Sequence, residues 1–165
     1  MKRKGTLKLS TASDCEIVMT RDFDGPAHLV FDALTKPELI KRWLLGPPGW
    51  SMPVCEVDLK IGGHYRYVWR HEKDGRNMGM GGVFREIVAS KRLAQTEKFD
   101  QAWYPGEALS TAVLVEQKGK TTLTTTVLYE SRAARDSILK SGMEQGVAAS
   151  YDRLEDLLAE TSSTI

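Results

Sequence analysis

The chain reads as one α+β domain in which a curved antiparallel sheet wraps a single long helix. Three observations predict this. A strand and two short helices come first, a long run of alternating segments follows, and one amphipathic helix closes the chain. That last helix is the only long one. A curved sheet with the helix on its concave side is the simplest way to bury such a pattern, and it tends to leave a cavity between the two.

Residues 1–14 are polar and basic without a period, and are expected to be a disordered tail. Glu16 to Phe23 alternates, with Ile17, Met19 and Arg21 on one side, and reads as the first strand. Asp24-Gly25-Pro26 turns the chain into a helix, since Pro suits a first helical turn where its missing N–H costs nothing. Leu29, Val30, Ala33 and Leu34 then recur at helical spacing. Thr35 with Glu38 three residues on predicts a capping box for a second short helix, with Leu39, Ile40 and Trp43 on its apolar side. Gly46-Pro47-Pro48-Gly49 ends it.

Strands are expected at Met52–Lys60, His64–His71, Met78–Val88, Leu93–Phe99, Leu109–Gln117 and Thr121–Tyr129, which gives seven in all. Asp74-Gly75 is a strong hairpin signal. Glycines 79, 81 and 82 predict a bulge or sharp bend. Ser131 caps a helical segment that Ser141-Gly142 breaks. From Met143 to about Ala159, Val147, Tyr151, Leu154 and Leu158 share one stripe with Ala148 and Leu157 beside it. Glu144, Asp152, Arg153, Glu155 and Asp156 are expected to face away, and residues 161–165 to fray. One domain over residues 15–160 follows.

Composition excludes several function classes. The 23 basic and 22 acidic residues leave no charge excess to draw in nucleic acid or an anionic membrane. No apolar run approaches the roughly 18 residues that span a bilayer. Cys15 and Cys55 are too few for a disulfide scaffold, and a cytoplasmic protein with reduced thiols is expected. His28, His64 and His71 show no ligand spacing, so neither a metal nor another cofactor is expected. The Met78-Gly79-Met80-Gly81-Gly82 run lacks the Lys-Ser/Thr of a phosphate loop.

The run Val30-Phe31-Asp32-Ala33-Leu34-Thr35-Lys36-Pro37-Glu38, followed by Arg42-Trp43, resembles the opening of the family of activators of the heat-shock-protein-90 ATPase. The resemblance continues through Gly62-Gly63-His64-Tyr65-Arg66-Tyr67, Gly82-Val83-Phe84-Arg85-Glu86-Ile87, Arg92-Leu93 and Thr96-Glu97. It closes with Gly142-Met143 and Tyr151-Asp152-Arg153-Leu154, and so covers Glu16 to Glu160. It implies the START-like, or SRPBCC, superfamily with its helix-grip fold, and an apolar cavity under the last helix. The chaperone-binding N-terminal domain of the true activators is expected to be absent here. Where the family usually carries Trp in the last helix, this chain has Met143.

Trp43, Trp69, Met80, Phe84, Met143, Val147 and Tyr151 are the candidate lining of one cavity, because the second helix, two strands and the long helix each point a large apolar side chain inward. The expected occupant is a small hydrophobic molecule, bound by a monomer or homodimer. The alternative is a regulatory module for a chaperone or other protein partner, with Trp50 and Trp103 as candidate contacts. A second alternative is an enzyme of the cyclase or hydrolase type. It would need an acid or base projecting into the cavity, and Glu86, Glu97 and Tyr151 are the candidates. Arg66, Glu86 and Glu97 stand in strands, where they form either a buried polar network or the solvated convex face.

Overall fold

Alternating apolar and polar residues drive eight segments into one antiparallel sheet in the computed structural model, which describes residues 6–101 and 106–163. The strands are β1 (Lys8–Ser10), β2 (Glu16–Asp24), β3 (Trp50–Val57), β4 (His64–His71), β5 (Asn77–Val88), β6 (Arg92–Phe99), β7 (Ala108–Gln117) and β8 (Lys120–Leu128). The helices are α1 (Ala27–Thr35) and α2 (Pro37–Trp43) after β2, then α3 (Arg132–Lys140) and α4 (Met143–Ser163). The strand order is β1-β2-β8-β7-β6-β5-β4-β3, so the first helices bridge from near one edge to the other.

Paired residues in an antiparallel ladder share a face. The register therefore lines up Ile17, Val127, Ser110, Gln95 and Phe84 as one row across the sheet, on the side that α4 covers. Curvature comes from register shifts between Phe84 and Glu86 in β5 and between Ser51 and Val54 in β3. The glycine-rich run marks the bend, but the bulge itself lies just past it. Gly82 serves a close approach instead, since a Cβ there would collide with the Thr96 carbonyl oxygen.

Three expectations from the sequence are corrected. The sheet has an eighth strand, because Lys8–Ser10 of the expected tail pairs with Val18–Thr20 at the edge of β2. Leu7 and Leu9 pack on the core, which is why the segment orders. Thr35 does not cap α2. Its hydroxyl donates to the Phe31 carbonyl within α1 at 2.8 Å, and Lys36 takes the N-cap position ahead of Pro37. The helix α4 also runs on through Thr161 to Ser163 instead of fraying after Glu160.

The long helix lies on the concave face and buries Tyr151, Leu154, Leu157 and Leu158 among residues of β2, β8, α1 and α2. Gly142, at φ +84°, separates it from α3, whose first turn is capped by Ser131 accepting from the Ala134 N–H at 3.0 Å. A smaller cluster of Ile17, Met19, Ala108, Val127, Tyr129, Ala134 and Ile138 closes the end of the sheet beneath α3. This is the helix-grip arrangement.

Three side chains expected to face solvent from α4 are tied down instead. Asp152 accepts from the Arg21 guanidinium at 3.0 Å, Glu155 accepts from the Asp24 N–H at 3.1 Å, and Arg153 donates to the Gly46 carbonyl at 2.7 Å. Glu144 and Asp156 remain exposed.

Leu154 is 0% exposed at the helix–sheet contact. Leu154→Ala is expected to cost about 2–5 kcal/mol, through lost transfer energy and the cavity left behind. Urea unfolding of both forms measures it, and a loss below about 1 kcal/mol would mean that this face carries little of the packing.

Candidate functional site

The candidate lining residues come from α2, β4, β5 and α4. Trp43, Trp69, Met80, Phe84 and Tyr151 are all buried in the main cluster. Val147 is half-buried and packs against both clusters, whereas Met143 is half-buried against the smaller one. Two indole hydrogen bonds set the wall near α2. Trp43 Nε1 donates to the Ala33 carbonyl at 2.8 Å, and Trp69 Nε1 donates to the Leu44 carbonyl at 2.7 Å. Each ring is thereby fixed with its polar tip satisfied and its apolar body turned to the core. Tyr151 stacks edge-on against Phe23 at 5.4 Å and lies 6.0 Å from Trp43. Tyr67 continues the aromatic wall between Tyr65 at 4.9 Å and Trp69 at 5.9 Å.

The two halves of α4 differ. From Ser150 to Leu158 it presents a buried stripe. From Met143 to Ala149 none of its residues is fully buried, and Gly146, Val147, Ala148 and Ala149 are small. On the concave face of central strands, Gln95, Glu97 and Thr125 likewise keep accessible surface. Their register neighbours Leu93, Ala108, Leu123 and Val127 are buried.

Several polar groups share this floor. Gln95 lies close enough to the Tyr67 hydroxyl, and Thr125 to the Tyr151 hydroxyl, to favour the ionised phenol slightly. Both phenols are pushed well up by burial, and the nearby Glu97 charge adds to the effect on each. Burial raises the Glu97 carboxyl to about 7. Among the described residues it has neither a hydrogen-bond nor an ion-pair partner. Cys55 lies close enough to affect Tyr67, and burial pushes its thiol up to about 11, so it stays an inert neutral group.

The three strand charges of the sequence reading separate. Arg66 and Glu86 lie on the convex face, where Arg66 forms a two-pronged pair with Asp100 (2.9 and 2.6 Å) and Glu86 pairs with Arg92 at 2.8 Å. Such exposed pairs contribute little. Glu97 alone faces the helix, because its partner across the ladder is the buried Ala108. Of the candidate acids and bases, Glu97 and Tyr151 therefore lie on the concave side and Glu86 does not.

The sequence reading missed Arg21 as part of the site. It is 2% exposed, pairs with Asp152 at 3.0 Å, comes within 4.0 Å of Glu155, and lies 4.9 Å from the Phe23 ring centre. Its position in the apolar phase of β2 was the available signal. Trp50 is half-buried, edge-on to His71 at 4.9 Å with Arg76 over its ring at 5.8 Å. Trp103 lies outside the described residues. Among the described residues no cluster of His, Cys, Asp and Glu is arranged to hold a metal ion, and no helix is long and apolar enough to cross a membrane.

The profile of the family described as Activator of Hsp90 ATPase homolog 1-like protein matches residues 24–159. A solved structure from Rhodobacter sphaeroides is 30% identical, with a TM-score of 0.87 over 93% of this chain and 98% of that one. A protein from Nitrosomonas europaea is 26% identical, with a TM-score of 0.81 over 93% and 99%. One from Mycobacterium smegmatis shares the fold at 20% identity, with a TM-score of 0.83 over 95% and 99%. No match is found among curated proteins.

Glu97 makes stability depend on pH with a definite sign. Between its ordinary value of 4.5 and about 7 the carboxyl is protonated in the fold and ionised in the unfolded chain. Its contribution to stability is therefore lost as pH rises through that window and is flat above it. Glu97→Gln cannot ionise. The variant is expected to gain about 1–3 kcal/mol over wild type at pH 8 and almost nothing at pH 4. Urea midpoints at the two pH values check this, and identical pH profiles for the two proteins would contradict it.

Proposed function

The chain belongs to the Activator of Hsp90 ATPase homolog 1-like family, and on that premise we propose that it binds a small hydrophobic molecule between the sheet and the N-terminal half of α4. The carrying observation is the accessible surface left on Gln95, Glu97 and Thr125, which stand on the concave face of central strands. Side chains in such positions are ordinarily sealed by packing. Of the small residues at the start of α4, Val147 packs on the core, whereas Gly146 turns toward the Gly46–Pro47 loop. The lining proposed is Trp43, Trp69, Met80, Phe84, Met143, Val147 and Tyr151. It matches the usual composition of a ligand pocket, mostly apolar with a few convergent polar groups.

A second reading draws on one specific feature. Glu97, with its raised carboxyl, sits beside Tyr151, and a buried acid near a phenol suits proton transfer in a cyclase or hydrolase. Its two groups are the same ones that would orient a bound ligand.

Neutral apolar probes such as 1-decanol and naphthalene are expected to quench the fluorescence of Trp43 and Trp69. They should also raise the melting temperature in proportion to the logarithm of probe concentration. Met143→Trp is expected to fill space near the helix start and weaken binding by about tenfold, or ~1.4 kcal/mol, with the fold retained. Neither quenching nor a thermal shift from any probe would remove the main support for this reading.

A further inference from the structure

The polar floor narrows the chemistry of the ligand. Glu97 extends from β6 toward α4, with Gln95 two residues before it on the same face. Its charge reaches Tyr67 of β4 on one side and Tyr151 of α4 on the other. It has no partner among the described residues. An ionised carboxylate only accepts hydrogen bonds, and holding one unpaired and partly desolvated is costly until a donor arrives.

The other groups facing this space do not supply that donor. The Tyr67 hydroxyl has Gln95 beside it and the Tyr151 hydroxyl has Thr125, and burial is the sole cause of the raised Glu97 carboxyl, with no hydrogen bond from either phenol. Cys55, beyond Tyr67, is a neutral thiol. Arg21, beyond Tyr151, is paired with Asp152 and flanked by Glu155. Its Nε and Nη2 atoms lack acceptors, but an anion reaching them also meets both of those carboxylates. The remaining neighbours are aromatic side chains packed on one another, Phe23, Trp43 and Tyr151 in one group and Tyr65, Tyr67 and Trp69 in another. Aromatic faces attract cations and repel anions.

We propose that the ligand is an apolar molecule bearing one amine, whose ammonium group is held by the Glu97 carboxylate near Tyr67 and Tyr151. This rests on the reading of the space beneath α4 as a binding cavity. The apolar body of the ligand would lie against Met80, Phe84 and Val147, and its charged end would satisfy the one open carboxylate on the floor. Selectivity for amines over carboxylic acids follows from charge. Selectivity over alcohols follows from the strength of a hydrogen bond between two ionised groups.

The test compares three probes with the same chain: decylamine, 1-decanol and decanoate. Binding to the wild-type protein and to Glu97→Gln is followed at pH 8 by tryptophan quenching. Decylamine is expected to bind about tenfold or more tightly than 1-decanol, as a charge-assisted hydrogen bond in a desolvated site allows. Decanoate is expected to bind most weakly. In Glu97→Gln the advantage of the amine over 1-decanol disappears. A second measurement needs only the wild type. Lowering the pH from 8 to 5 protonates Glu97 while decylamine stays charged, so the gap between amine and alcohol closes. Equal binding of amine and alcohol at pH 8, tighter binding of decanoate, or an amine preference that survives Glu97→Gln overturns the amine proposal and leaves the cavity reading standing. If none of the three probes binds, both fall together.

Discussion

Arg21 lies 2% exposed beneath the last helix, and its counter-charges come from that helix alone among the described residues: Asp152 at 3.0 Å and Glu155 at 4.0 Å. A buried guanidinium without a carboxylate would be costly, so the pair constrains where α4 can lie. The net energy of such a pair is small, because desolvation cancels most of the attraction. Any other docking of the helix would leave the Arg21 guanidinium buried without a carboxylate, which is costly. Asp152 and Glu155 flank Leu154, so the same contact sets both the rotation and the axial position of α4. Tyr151 and Val147 then have to face the sheet. Glu155 also accepts the Asp24 N–H at the end of β2, which ties the clamp to the turn into α1.

A helix held so firmly at its middle can be loosely packed at its start. The buried stripe from Ser150 to Leu158 anchors the C-terminal half against α1, α2 and β2. None of the residues from Met143 to Ala149 is fully buried, although Met143 and Val147 pack against the smaller cluster. Gly142 frees the junction with α3 to turn sharply at φ +84°. The loop after α2 is drawn in as well, since Gly46 donates to the Ser150 hydroxyl at 2.8 Å and accepts from Arg153 at 2.7 Å. The two halves of α4 thus differ in burial along a single helix.

Most of the fold was legible because its signals are local and periodic. The alternation of Tyr65, Tyr67 and Trp69 fixed β4 at His64–His71, and the stripe through Leu154 fixed the inward face of α4. The failures on α4 and β6 share a cause, which is that polar residues are read as outward by default. Asp152, Arg153 and Glu155 were turned to solvent because their partners Arg21, Gly46 and Asp24 lie more than a hundred residues away in the chain. Glu97 could not be told from Arg66 and Glu86 by strand position. The bulge between Phe84 and Glu86 puts Glu86 opposite Ala94 on the convex side, whereas Glu97 lies opposite Ala108 on the concave side. The strand at Lys8–Ser10 was hidden by brevity and by its basic neighbours, although Leu7 and Leu9 alternate there. Thr35 looked like a cap because Glu38 stands three residues on, but Thr35 is the last residue of α1 and Glu38 belongs to α2.

The claim at the centre of this account is that a ligand enters between the sheet and the start of α4. Nuclear Overhauser contacts between bound 1-decanol and the protein's methyl groups test it without depending on ligand charge. The account predicts contacts from the alkyl chain to Met80, Met143 and Val147, together with the ring protons of Phe84 and Tyr151. Contacts confined to the exposed Val88, Val115 or Leu128, which lie away from that space, would contradict it.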